Sequence, residues 1–415
     1  MKYLVQDLRA RVREHRPDRI ALLRLGAALT AANQCVAMAG LRGKVCGQLV
    51  VERLMFEPRL AWHLRPAQAR LLAADVPADR HGGARFRRKY PKAPASAEIM
   101  PSVEAGSGSA AIAERWRGRR LIFSRKGFDS VFGGRPSPVL PDGRMVSLPI
   151  PEPESPITYG DCFAQPDVTF ADFLARMGAA RIRDGRNGAT QHLEVRPGLG
   201  VHLDPDLRAG ARKDRPPGWQ PLFGQADAAA RHLERMHAGP GDVFLFFGWF
   251  AHAEYRHGQL RYVRGLPRFQ AVWGWMEIGD AAQAGEFAAR HPWVAGQHPH
   301  FIPSLTVSYR PNVVYMATPA ATGLPGIPGS AVMCYSDAAR LTKPGCSPRW
   351  WSLPEAFHPT NTAWPMTYHP PASWSSPQDG HVTLQSAAIG QEFVVPINDG
   401  IQTWLTSLIG TATTW

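Results

Sequence analysis

The apolar positions of the chain concentrate in a few unbroken runs. Val243-Phe244-Leu245-Phe246-Phe247 and Phe269 to Ile278 (FQAVWGWMEI) are the strongest. Each is too apolar to keep one face in water, and glycine or proline stands close to each, so both read as central strands buried on two faces. Leu121-Ile122-Phe123 and Asn312 to Thr318 (NVVYMAT) repeat the pattern on a smaller scale, and Gln191 to Val195 is a shorter strand candidate. Tyr255 to Arg268 then reads as a hairpin connection between the two long strands.

Elsewhere the spacing is helical. Phe170, Phe173 and Leu174 predict a helix over Thr169 to Met177, with Asp172 in its first turn. Ala226, Ala229, Ala230, Leu233 and Met236 share a face and predict a helix over Gly224 to Met236, and Ile401 to Leu408 predicts a short terminal one. With 39 Gly and 38 Pro the connections are long and irregular. The expected fold is α+β or α/β, a mixed central sheet with flanking helices and long Pro/Gly-rich loops.

Charge divides the chain. Residues 1–118 carry 21 Lys+Arg against 10 Asp+Glu, whereas residues 119–415 carry 26 against 24. The net charge of +13 therefore argues for an anionic partner mainly through the first stretch. That stretch has helical spacing at Leu4 to Val12 and Ile20 to Ala31, a basic run at Arg80 to Lys92 and an Ala/Ser/Gly/Pro linker at Pro94 to Ala113. Three readings stay open for it: a small basic domain touching nucleic acid, a loosely ordered tail, or an upstream extension from a start site placed too early. Residues 119–415 form the expected main domain. The five cysteines include no CxxC pair and suit neither a disulfide framework nor a zinc cysteine cluster, so a cytoplasmic location is the default. No apolar run is long enough for a membrane span.

Chemistry gathers at strand ends. Lys126, Asp129 and Ser130 follow the first strand, before Gly133-Gly134 and Pro136-Ser137-Pro138. A lysine there suits stabilisation of phosphate charge, and Asp129 suits a general base. His202-Leu203-Asp204-Pro205-Asp206 can supply part of an oxygen/nitrogen metal site or an acid/base pair, or can simply cap a turn. His298-Pro299-His300 can present two imidazoles to one metal, with His202 and Asp204 completing a mononuclear site; two hydrogen-bonded loop histidines are the plainer alternative. Ser130, Ser137, Trp249, Gln391 and Glu392 are candidates for substrate contact: Trp249 by stacking on a base, Gln391-Glu392 by reading a base edge. Core packing for Trp249 and a helix cap for Gln391-Glu392 compete with those roles. A P-loop, a GxGxxG fingerprint, a GxSxG elbow and a deaminase HxE/PCxxC pair are all missing from the sequence.

The stretch from Arg120 to Thr158 resembles the opening of the nucleotide modification associated domain family of the third type. The resemblance continues through HLDPD (His202 to Asp206), GDVFLFFGWF (Gly241 to Phe250), VWGWMEIG (Val272 to Gly279), HPH (His298 to His300), RWWSLPEAFHP (Arg349 to Pro359), TYH (Thr367 to His369) and GQEFVV (Gly390 to Val395). It implies a link to systems that modify nucleotides or DNA bases, with nucleotide or DNA and other modification-system proteins as expected partners. It names no reaction. Three functions remain: an enzyme acting on a base, nucleotide or modified DNA through Lys126, Asp129, His202, Asp204 and Asp206; a binding module in which Trp249, Trp275 and Trp351 cage a base; and a metal-dependent phosphoesterase or nuclease. A divalent metal is the candidate cofactor.

Overall fold

The computed structural model describes residues 116, 118–186, 191–387, 392–412 and 414–415. The expectations for the first 115 residues and for Gln391 lie outside the described residues. The first strands are β1 (Arg120–Arg125), β2 (Ser137–Val139), β3 (Ile150–Pro151), β4 (Phe163–Gln165) and β5 (Val168–Thr169). After helix α1 (Phe170–Arg176) come β6 (Arg181–Asp184), β7 (Gln191–Glu194), β8 (Val201–His202) and β9 (Leu222–Ala226). Helix α2 (Asp227–Arg235) leads to β10 (Val243–Arg256), β11 (Gln259–Tyr262) and β12 (Phe269–Gln283). Then follow α3 (Ala284–Arg290), α4 (Pro303–Thr306), β13 (Asn312–Ala317), β14 (Ser330–Val332), β15 (Trp350–Pro354), β16 (His381–Gln385), β17 (Glu392–Pro396) and α5 (Asp399–Gly410).

The main sheet runs β17-β1-β10-β12-β13-β9, with β2 and β11 joined to β10 and β14 to β12. It is mixed: β1 pairs parallel with β10 and antiparallel with β17. The apolar runs occupy its centre because both faces are covered. Leu121, Phe123, Val243, Leu245 and Phe247 enter one core, closed by Trp351 and Leu353 of β15, Leu384 of β16 and Leu405 of α5. Ile122, Phe244 and Phe246, pointing the other way, enter a second core with Phe223, Tyr315 and Val394. Trp116, just ahead of β1, is also buried in the first. A third core, holding Leu148, Tyr159, Phe173, Val201 and Leu203, underlies the irregular segments between β2 and β9.

The sheet curls until its end strands meet. Gln225 of β9 donates its side-chain amide to the Glu392 carboxylate of β17. Inside the curl the Phe223 ring lies 4.9 Å from Phe244 and 5.1 Å from Phe246.

The predicted strands and helices form, with two differences. The helix expected from Gly224 begins at Asp227, because Gly224, Gln225 and Ala226 are held in the ladder with β13. The hairpin connection expected at Tyr255 to Arg268 itself contains β11, which pairs with the extended end of β10. Among the described residues no helix is long and apolar enough to cross a membrane.

Candidate metal centre

Four short segments converge on Asp204. Strand β8 delivers His202, and two residues later Asp204 sits in the loop before β9. β3 pairs with β8, Ile150 opposite His202, so Glu152 arrives beside the histidine. The approach is close: a Cβ on Gly200 would stand 2.1 Å from the Glu152 carbonyl oxygen. A 3-10 turn, Pro299–Phe301, carries His300, and Asn312 opens β13 next to it.

Hydrogen bonding separates the two oxygens of Asp204. Oδ1 accepts the Gly224 backbone N–H at 2.9 Å and the His298 Nε2–H at 3.1 Å. His298 must donate from Nε2, since its Nδ1 accepts the His300 backbone N–H at 3.4 Å. Oδ2 faces two other imidazoles, His202 Nε2 at 3.8 Å and His300 Nε2 at 3.9 Å. These separations are too long for hydrogen bonds. They suit two ligands of one ion, each about 2.0–2.2 Å from it. One ligand atom each from His202, Asp204 and His300 lie within 4.8 Å of one another.

The outer atoms of the imidazoles fit the same reading. His300 Nδ1 lies 2.6 Å from Asn312 Oδ1, and the Asn312 amide donates back to the His300 carbonyl at 3.0 Å. Nδ1 therefore carries the proton and Nε2 keeps its lone pair towards Oδ2. His202 Nδ1 is buried without a hydrogen-bond partner and lies 3.8 Å from Glu152 Oε2. Glu152 is itself held by Arg186, whose guanidinium also grips Asp184, with Nη2 to Oδ2 at 2.8 Å. A carboxylate behind an imidazole whose other nitrogen faces a metal position is the usual outer support of a histidine ligand.

The electrostatics agree. Burial pushes the His300 imidazole down to about 3, which keeps it in the neutral form that ligates metals. Burial opposes charge on Asp204, but His202, His298 and His300 outweigh it and hold the carboxyl well below the usual range. Its Gly224 and His298 donors stabilise the ionised form. The Tyr309 ring, 5.3 Å from the His300 ring, stays protonated because burial, Glu152 and Asp204 push it up to about 12.

The other predicted site residues stand elsewhere. Lys126 Nζ pairs with Glu392 Oε1 at 3.7 Å and lies 4.6 Å from the centre of the Phe223 ring. Burial raises the Glu392 carboxyl, against Lys126, Ser124 and Gln225, which lower it. Since Gly224 and Gln225 point to opposite faces of β9, this pair belongs inside the curl and the histidines to the outer face. Asp206 is clamped by Arg215 through bonds of 2.6 and 2.5 Å and is 1% exposed. Asp129 accepts the Val131 and Phe132 backbone N–H groups, a turn-forming role, at 2.7 and 2.6 Å. Ser137 is buried and accepts the Leu148 N–H at 3.0 Å, while Ser130 is exposed. Trp249 carries the Arg268 guanidinium 5.0 Å from its ring centre. Trp275 and Trp351 are fully buried in the core and present no surface to a base.

Glu152, Arg186, Gly224 and Asn312 escape a reading of the sequence. Glu152 lies in a Pro-Glu-Pro-Glu run that looks like a solvated loop, and no local pattern marks Asn312 as a partner of a histidine twelve residues before it.

The curled mixed sheet defines an α+β domain, and its His202, Asp204 and His300 are grouped so that they could hold one metal ion. The family model of nucleotide modification associated domain 3 matches residues 120–396, and the chain belongs to that family. No curated protein and no solved structure matches the chain.

Proposed function

We propose that this chain is an enzyme of a nucleotide modification system, using a divalent metal held by His202, Asp204 and His300 to act on a base, nucleotide or modified DNA. One observation carries the reading: Asp204 Oδ2 faces two imidazole nitrogens at 3.8 and 3.9 Å, while the far nitrogen of His300 and the other oxygen of Asp204 are already engaged. Two imidazoles and one carboxylate suit first-row divalent ions and leave coordination positions open for substrate or water. Such an ion would polarise a substrate oxygen or acidify a bound water.

The protein's own groups have distinct duties. His298 and the Gly224 N–H fix the Asp204 plane through Oδ1, leaving Oδ2 to ligate. Asn312 fixes the His300 tautomer and Glu152 stands ready to fix that of His202.

The test is elemental analysis of the purified full chain beside His202→Ala, Asp204→Asn and His300→Ala, with nucleoside mass spectrometry of DNA from cells expressing each. Near-stoichiometric metal in the parent, lost in all three variants together with the modified nucleoside, is expected. A parent that binds no first-row divalent ion under reducing conditions would sink the metal reading. Unchanged nucleosides with metal retained would sink the enzymatic one.

A further inference from the structure

A separate cavity opens where β6 and β11 meet the Gly133-Gly134 turn. Its volume is about 430 Å³, within the range of small-molecule sites. Arg135, Arg181, Arg183 and Arg261 line it with His192 and Tyr262, and no carboxylate does. The charge is local, since residues 119–415 as a whole are nearly balanced at 26 basic against 24 acidic side chains. Four guanidinium groups around one hollow repel each other unless an anion joins them.

Their existing bonds do not neutralise them. Arg181 donates to the His192 carbonyl at 3.0 Å, Arg183 to the Ser130 carbonyl at 2.5 Å, and Arg261 to the Gln259 side-chain oxygen. All three acceptors are uncharged, and Arg183 Nε is buried with no partner. Among the described residues no ion pair involves any of the four.

The walls are also held open. Gly134 and Gly178 have φ of +74° and +64°, and a Cβ on them would lie 3.3 Å from Arg183 Cβ and 3.1 Å from Arg261 Nη1. The Tyr262 ring is anchored by its hydroxyl, which donates to the Pro136 carbonyl at 2.5 Å, and burial pushes its pKa up to about 12. A fixed aromatic ring beside a fork of arginines suits a phosphate attached to a flat base.

We propose that this cavity binds the phosphate of a nucleotide unit, as a free nucleotide or as one residue of a strand. The site is independent of the metal cluster in composition. The two share β6: Arg181 and Arg183 line the cavity, and Asp184 on the other face of the strand holds Arg186, which holds Glu152 beside His202. A nucleotide anchored here is attached to the strand whose other face, through Asp184 and Arg186, holds the carboxylate behind His202.

The experiment measures binding of a deoxynucleoside 5′-monophosphate by calorimetry and of a labelled single-stranded oligodeoxynucleotide by anisotropy. It uses the full chain, Arg135→Gln/Arg261→Gln, Arg135→Lys/Arg261→Lys and His202→Ala. The glutamine pair is expected to weaken binding about tenfold or more and to flatten the salt dependence of strand binding by roughly one unit of slope. The lysine pair, which keeps charge and loses the fork, should fall between parent and glutamine pair. Loss confined to the monophosphate identifies a free nucleotide; loss confined to the oligonucleotide identifies a phosphodiester. Unchanged binding of both by a folded glutamine pair overturns the proposal. His202→Ala should bind phosphate like the parent, so failure of the metal site and failure of this cavity give different results.

Discussion

The ring of His300 lies directly over the backbone of Gly224. A Cβ at Gly224 would stand 2.2 Å from His300 Cδ2 and 2.6 Å from Nε2, the nitrogen that faces Asp204. The N–H of the same glycine donates to Asp204 Oδ1. One residue thus leaves room for one proposed ligand and orients another. Gly224→Ala should cost about 1–3 kcal/mol of stability through overpacking. It should also turn His300 away from Asp204, so metal content per folded protein falls. Thermal melting with elemental analysis checks both, and a variant with normal metal content would refute the coupling.

Glu152 touches no proposed ligand position and should matter only through His202. Glu152→Gln removes the charge behind His202 Nδ1 and loosens Arg186. A drop of about 10–100-fold in metal affinity is expected, with the number of bound ions unchanged at saturating metal. Competition with a chelating dye measures it. Equal affinity in the two proteins would show that Glu152 has no hold on the imidazole.

Asp206 follows Asp204 by two residues and yet serves a different end. Its carboxylate meets both terminal nitrogens of Arg215, and its backbone pairs with Leu222. Removing one partner of a buried ion pair leaves the other uncompensated, so Asp206→Asn should cost about 3–5 kcal/mol. Metal content of the fraction that remains folded should match the parent. Chemical denaturation and elemental analysis separate this outcome from that of Asp204→Asn, which should lose metal.

The physical range of each signal decides how legible the molecule is in its sequence. Strands β1, β10, β12 and β13 are visible because burial on both faces demands continuous apolar side chains such as Val243 to Phe247. His298, expected as a metal ligand beside His300, instead donates to Asp204 Oδ1, but the gathering of His202, Asp204 and His300 is expected from residue chemistry, since histidines near an aspartate suit a metal. The support around them is not. Glu152 reaches His202 only because Gly200 lets β3 and β8 approach, and Arg183 is joined to Arg135 and Arg261 by the fold alone. Lys126 and Glu392 look like strand-end chemistry, but the antiparallel pairing of β1 with β17 makes them partners, and the curling of the sheet, which no local pattern encodes, brings Gln225 to the same carboxylate.

His369 gives the clearest dependence of stability on pH outside the metal cluster. It is 2% exposed. Its Nδ1 lies 2.9 Å from the Thr367 carbonyl oxygen, so Nδ1 carries a proton, and Nε2 accepts the Ala387 N–H at 3.0 Å. A second proton would have to sit on Nε2, against that donor and away from water. Burial, with Arg125 adding to it against the Thr367 carbonyl, pushes the pKa down from 6.5 to about 4. Between those values the unfolded chain binds more protons than the folded one, so this residue's contribution is complete above the ordinary histidine range. It is lost as pH falls towards about 4. The loss over the window is roughly 3 kcal/mol. His369→Asn, which can keep the donor to Thr367 but has nothing to protonate, should be less stable than the parent near neutral pH and should lose much less on acidification. Denaturant midpoints between about pH 7 and about pH 4 measure both curves, and parallel curves would remove His369 as the source of the slope.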